Sequence, residues 1–327
     1  TKKEETQEQA ELAGAESSAG VADHTQGDPI VIKIAHVSQE GVPIDLASNK
    51  LGEMLKEKTG GRITVDVFPA SALGNNTELL EQLQMGTLEM AISSVAFLGA
   101  FTDSTALLDL PYLFQSNEAA EEVLDGDVGQ EIFSNLEPAG FKGMTWMATG
   151  WRQLTANKEI HKPEDMKGLK IRVQVASMMG DTVEALGAEA VPIAYAELYT
   201  ALESGTIDGA ENPPVSYYYN KFYKVAPYYV KDRHTYTPGV ILVSKITWKN
   251  LEKEYQDALV QAAKETQEYN RTAIEEADQK AYEALEKEGV TILEPEDPQA
   301  WSQAMEPVYR KYGGEYLDLI EKIRQIR

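Results

Sequence analysis

Leu83-Gln-Met-Gly-Thr-Leu-Glu-Met-Ala91 and Leu202-Glu-Ser-Gly-Thr-Ile-Asp-Gly-Ala210 are two versions of one junction: the end of a helix, a Gly-Thr turn and the start of a strand. Working outward from the first copy, residues 31–34 and 62–68 carry the β-branched and alternating patterns of strands, and 88–92 supplies a third. Between them, residues 45–58 and 77–85 have helical spacing and stop at Gly60-Gly61 and Gly86. The second copy has the same order: strands at 170–175, 189–193 and 206–210, with helices at 178–186 and 196–204 closed by Gly187 and Gly205. Strand–helix–strand–helix–strand units make parallel sheets, so the chain is expected to be α/β, with two similar doubly wound lobes.

Ligands of open parallel sheets collect beyond the carboxyl ends of the strands. Here those ends are residues 36–39, 93–96, 174–177 and 211–213, which would face one another across a cleft. A helical pattern over residues 248–285, free of Pro and Gly, is long enough to brace both lobes, with a bend expected near Asn270. Residues 289–293 read as a strand and 301–326 as a closing helix. The expected division is 29–149 with about 238–277 for lobe I, and 150–237 with about 278–327 for lobe II.

Composition narrows the function. The chain has 327 residues, 43% hydrophobic and 25% charged, which suits a globular protein of two domains. No run of 18 apolar residues occurs. Fifty-three acids against 30 Lys and Arg give a net charge of -23, which argues against nucleic acid and means that any anion site must be built locally. Cysteine is absent, and the four histidines at 24, 36, 161 and 234 are scattered, so neither a metal nor a cofactor is expected. Residues 1–28 carry seven acids and two lysines with almost no large apolar side chains, and are expected to form a disordered tether.

Arg172 stands in Lys167-Gly-Leu-Lys-Ile-Arg-Val-Gln174, inside an apolar strand pattern. A guanidinium does not shed its proton, so a buried one needs an anion, either an internal carboxylate or a ligand. Arg152, in Gly150-Trp-Arg-Gln-Leu-Thr-Ala-Asn157, follows the apolar strand 144–148 and falls near a crossover between lobes. Two arginines in a cleft suit a carboxylate, and Asn212 adds an amide donor and acceptor. Tyr195 reads equally as a cover for the ligand or as core packing. The nucleophile-elbow, Walker, zinc-protease and dinucleotide motifs are all missing, and no catalytic residue is expected. Against that stands a rival reading, an enzyme acting on a sugar acid with His234 or Glu211 as base. A protein-interaction module is the third.

The series Gly60-Gly-Arg-Ile, Leu73-Gly74, Gly86-Thr-Leu, Asp109-Leu-Pro-Tyr112, Gly150-x-Arg152, Met166-Lys-Gly-Leu-Lys-Ile-Arg172, Glu197-Leu-Tyr-Thr-Ala-Leu202, Asp208-Gly-x-Glu-Asn-Pro213 and Ser244-x-x-x-Trp248 resembles the extracytoplasmic solute-binding proteins of TRAP transporters, the DctP type. The resemblance runs from about residue 31 to 327. It implies a periplasmic-binding-protein-like fold that closes on a small organic acid and hands it to a membrane permease. It also implies an extracytoplasmic location, periplasmic or on a lipid tether at the outer face of the membrane, and a monomer is expected.

By the same resemblance, Arg172 salt-bridges the ligand carboxylate, Arg152 is the second arginine, Asn212 completes the capture and Tyr195 is the aromatic of the cleft. His234 matches a histidine near the crossover that faces the ligand. Ser94 stands where sialate binders carry a Glu, which argues against sialate. The stretch 209–218, with Lys231-Asp-Arg-His-Thr235 downstream, is similar to binders of uronates and related sugar acids, and C4-dicarboxylates and 2-oxo acids are the alternatives. Specificity is expected from Gln39, Glu40, Ser94, Phe97 and Tyr218.

Overall fold

The computed structural model describes residues 28–327; the tether expected at 1–28 lies, except for Asp28, outside the described residues. The chain lays down β1 (Ile30–Ala35), β2 (Ile63–Phe68), β3 (Met90–Ser94) and β4 (Phe141–Met147), then β5 (Arg152–Ala156), β6 (Lys170–Val173), β7 (Glu189–Pro192), β8 (Gly209–Asn212) and β9 (Tyr228–Thr235). Strands β10 (Gly239–Ser244) and β11 (Thr291–Leu293) follow. They form two sheets, in the orders β2-β1-β3-β10-β4 and β11-β9-β5-β8-β6-β7.

The duplication is visible in the pairing. In the first sheet β1 lies parallel between β2 and β3. In the second, β6 lies parallel between β7 and β8. Each triplet is extended by an antiparallel strand that has just arrived from the other sheet, β10 beside β3 and β5 beside β8. The chain therefore crosses between sheets three times, through the short crossovers at 148–151 and 236–238 and again between β10 and β11.

At both duplicated junctions the helix stops on a left-handed glycine, Gly86 at φ 73° and Gly205 at φ 71°, a conformation that costs glycine nothing. Leu88 and Ile207 are buried beyond the turn, but the ladders begin two or three residues later than the apolar runs suggest. Burial, rather than strand pairing, explains why those positions are apolar. The helix Asn76–Met85 starts on a reciprocal cap: Glu78 N donates to the Asn75 side chain, and Asn75 N donates to the Glu78 carboxylate.

The long helix runs unbroken over Lys253–Lys287, after a separate short helix at Lys245–Asn250. Its 35 residues span about 52 Å at 1.5 Å each. Leu259, Ala262 and Ala263 pack with Ile32, Ile34, Leu51 and Leu55 beside the first sheet, and Leu285 packs with Leu202, Ile207 and Tyr229 beside the second. The helix is not interrupted at Asn270, where a bend was expected. Asn270 is fully buried and accepts a 2.7 Å hydrogen bond from Ala148 N, so it fastens the helix to the first crossover. The expected closing helix at 301–326 is three helices, Pro298–Gln303, Glu306–Tyr312 and Leu317–Gln325. Pro307 fits only the first turn of a helix, and Gly313-Gly314 breaks the next. Tyr309 Oη donates to Pro111 O at 2.6 Å, and Lys311 reaches Asp181 at 2.7 Å, so this segment touches the flanks of both sheets.

Candidate functional site

Arg172 lies on β6, the strand next to the β7 edge of the second sheet, in register with Val191 of β7 and Ala210 of β8. It is 2% exposed. Its Nε donates to Ile193 O at 2.8 Å, and its guanidinium carbon lies 5.9 Å from the Tyr195 ring centroid. Among the described residues no carboxylate comes within 4.0 Å of it. Burial is the main influence on its pKa and brings it down to about 10; the Arg152 charge adds to this and the Glu211 charge opposes it. It therefore remains a cation at neutral pH, without an internal counter-ion in contact. The internal-pair explanation of this arginine fails.

Arg152 is differently placed. As the first residue of β5 it turns its guanidinium onto Glu211: Nη2 donates to Oε1 at 2.8 Å and to the Glu211 carbonyl at 2.7 Å, and Nε pairs with Oε2. Burial disfavours the Glu211 charge, yet Arg152 and His234 outweigh it and hold the carboxyl down at about 2. His234 Nε2 stands 3.5 Å from Glu211 Oε2, and its Nδ1 is 2.7 Å from Asp232 Oδ2. Burial would lower the imidazole, but the two carboxylates raise it to about 9. Asp232 is tied in turn to Leu154 N at 3.0 Å. Arg152 and His234 thus balance Glu211 and Asp232, and Arg172 is left uncompensated.

Arg172 and Arg152 border a cavity of about 110 Å³ between the sheets. The second sheet and its loops contribute Arg152, Arg172, Gln174, Tyr195 and Asn212, the first contributes His36, Ser93, Ser94 and Phe97, and the crossovers contribute Thr149 and Thr237. Of the residues singled out in the sequence, Arg172, Arg152, Asn212, Tyr195, Ser94, Gln39 and Phe97 line it. Four do not. Glu211 and His234 lie behind Arg152 because they are occupied in the ion-pair chain, Glu40 is exposed, and Tyr218 stacks on Tyr223 with centroids 5.9 Å apart.

Several lining residues were not singled out beforehand. Gln174 opens the strand-end stretch 174–177 expected at the cleft, and lying two places beyond Arg172 it shares that residue's face, a periodicity that would have singled it out. His36 directly follows β1, in the strand-end stretch 36–39 that was expected at the cleft, although it was not named as a ligand contact. Asn76, Thr149, Thr237 and Asn220 carry no local signal; helix starts and crossovers bring them in. Gln174 Oε1, Asn212 Oδ1, Thr237 Oγ1 and both ring nitrogens of His36 are buried without a hydrogen-bond partner. Burial lowers the His36 pKa despite Asp45 at 3.4 Å, so it is a neutral group at physiological pH. Among the described residues no cluster of side chains could hold a metal ion. The arrangement offers one cation at its base and a set of neutral polar atoms that lack partners.

The model of the family described as bacterial extracellular solute-binding protein, family 7 (DctP) matches residues 34–315. The chain belongs to this family. As a DctP member it is similar to the C4-dicarboxylate-binding protein DctB of Bacillus subtilis, 31% identical over 305 residues, covering 92% of this chain and 87% of the relative. A TRAP periplasmic solute-binding protein of Bradyrhizobium, solved in complex with α/β-D-galacturonate, superimposes with a TM-score of 0.87 at 35% identity, covering 90% of this chain and 99% of that one. A TRAP protein of Citrobacter koseri with bound D-glucuronate gives a TM-score of 0.88 at 32% identity, covering 91% and 99%. DctP proteins are extracytoplasmic, and among the described residues no helix is long and apolar enough to cross a membrane.

Proposed function

We propose that this DctP protein is the receptor for a hexuronate or a closely related sugar acid, which it captures between its lobes and delivers to a TRAP permease. The observation that carries the reading is the charge balance of the cavity. One guanidinium, Arg172, lacks a counter-ion, so the site suits one carboxylate. Planar bidentate pairing is the natural form of that contact, with Tyr195 beside it and Asn212 adding an amide. The unpartnered oxygens of Gln174 and Asn212 accept hydrogen bonds, and hydroxyl groups supply donors to them. A C4-dicarboxylate would bring a second negative charge to neutral groups such as His36, Ser93 and Ser94. The bound uronates of the similar solved structures support the same choice.

The Arg152–Glu211–His234–Asp232 chain then acts as scaffolding, keeping β5, β8 and β9 in register below Arg172. It also weighs against catalysis. His234 carries its proton at neutral pH and Glu211 is fully engaged, so neither is a free base. Closure is a hinge motion about the two crossovers, driven by a ligand that contacts both lobes. The moving bodies are residues 29–149 with about 238–277, and 150–237 with about 278–327. The protein works as a monomer.

A thermal-shift panel tests the reading, because a ligand that binds only the folded state raises the melting temperature. D-glucuronate and D-galacturonate are expected to give the largest shifts. A larger shift with succinate, malate or pyruvate would overturn the assignment.

A further inference from the structure

The principal cavity has a neighbour. A recess of about 270 Å³ opens beside it and shares Val37, Gln39, Tyr195 and Asn220 with it. Both lobes build this recess: Gln39, Ala70 and Ser71 come from the first, and Tyr199, Tyr219 and Asn220 from the second. Side-chain contacts cross the partition. Gln39 Nε2 donates to Asn220 Oδ1 at 3.1 Å across the cleft, and Asn220 Nδ2 contacts the Tyr195 hydroxyl at 2.6 Å. The Tyr195 ring leads back to Arg172. A line of contacts thus connects the carboxylate end of the cavity to the wall of the recess.

Three features of the recess point to a ligand. Its lining contains no Asp, Glu, Lys or Arg, in a chain of net charge -23. It combines aromatic faces with amide and hydroxyl groups, the mixture that takes up a neutral polyol. Tyr219 is 48% exposed although it is a large aromatic residue. In the same lining, Ala70 and Ser71 are consecutive non-glycine residues at positive φ, 53° and 59°. Such strain persists where the surroundings impose it, and here Ala70 N is fixed to Ser38 O at 2.8 Å and Ser71 N to His36 O at 3.2 Å.

Resting on the uronate reading, we propose that the recess is a subsite for a second, uncharged sugar ring, so that the protein also accepts a uronic acid glycosidically linked to a neutral sugar. The acid ring sits over Arg172, the linkage replaces the Gln39–Asn220 hydrogen bond, and the neutral ring lies against Tyr219 and Tyr199. A diuronate is disfavoured, because its second carboxylate would meet no cation in the recess.

Titration calorimetry of the wild type and Tyr219→Ala with D-glucuronate, glucuronosyl-(1→2)-xylose and digalacturonate tests this. The wild type is expected to bind the neutral-ring disaccharide within about tenfold of glucuronate and to bind digalacturonate at least about tenfold more weakly than that disaccharide. Tyr219→Ala is expected to lose about tenfold for glucuronosyl-xylose and to leave glucuronate within about twofold. Disaccharide binding more than about a hundredfold weaker than glucuronate, or equal losses for both ligands in the variant, overturns the subsite alone. Absence of binding by every sugar acid overturns the uronate reading and the subsite with it.

Discussion

Arg152 Nη2 lies 2.8 Å from Glu211 Oε1, across the antiparallel β5–β8 pair, so the second arginine of the cleft already has its carboxylate. Arg172, on the next strand over, has none. The two arginines look equivalent in the sequence and differ in the fold because Glu211 faces only one of them closely enough for contact.

Replacing Arg172 with Met should therefore abolish capture without harming the fold. A few charge-assisted hydrogen bonds at roughly 1.5–3 kcal/mol each leave with the guanidinium, which corresponds to at least about a hundredfold in affinity. Removing a buried charge that lacks a counter-ion should leave the melting temperature of the ligand-free protein equal to or above that of the wild type. Calorimetry and thermal denaturation measure the two halves separately, and a marked drop in melting temperature would show that Arg172 has an internal partner.

Glu211→Gln should behave in the opposite way. It strands Arg152 and His234 in a buried site, and breaking such a pair costs about 3–5 kcal/mol. Chemical denaturation should show that loss, whereas an Arg152→Met/Glu211→Gln double variant should recover part of it.

Stability should peak at mildly acidic pH. His234 is raised from 6.5 to about 9, so its contribution is complete below 6.5 and is lost as the pH rises through 9. Glu211 is lowered from 4.5 to about 2, so its contribution is complete above 4.5 and is lost as the pH falls through 2. Asp109 and Asp278, both raised mainly by burial from 3.8 to about 7, cost stability increasingly between those values. Together these place the maximum near pH 4.5, where the Glu211 and His234 contributions are both in place and the cost of Asp109 and Asp278 is still small. Melting temperatures across pH 4 to 9 check this, and Asp278→Asn should flatten the decline between about 4 and 7.

Gly150 tests the first crossover. It has φ +84°, and a Cβ there would sit 2.8 Å from Asp278 Oδ2 and 3.1 Å from Pro213 Cβ. Gly150→Ala should cost about 1–2 kcal/mol for the left-handed backbone alone, and more where Pro213 has no room to move. Its effect on ligand dissociation, followed by stopped flow, should exceed that of Gly168→Ala, where the backbone is also left-handed but the space is open.

Much of this was legible in the sequence for physical reasons that particular residues illustrate. The two Gly-Thr junctions exposed the duplicated parallel units, because a left-handed helix stop leaves glycine in the sequence. Arg172 was conspicuous because apolar neighbours make a guanidinium expensive. What was not legible depended on pairing at a distance. Nothing near Arg152 in the chain says that Glu211 will neutralise it, and nothing near Asn270 says that it will bind Ala148. Asn220 and Gln39 are 181 positions apart and meet only because the lobes face each other.

The account rests on one uncompensated cation at the base of the cavity. Its most direct test is calorimetric comparison of D-glucuronate with D-glucarate, which carries a carboxylate at both ends of the same carbon chain. The account predicts that glucuronate binds and that glucarate binds at least about tenfold more weakly. Equal or tighter binding of glucarate would mean that a second positive charge serves the ligand, and would contradict it.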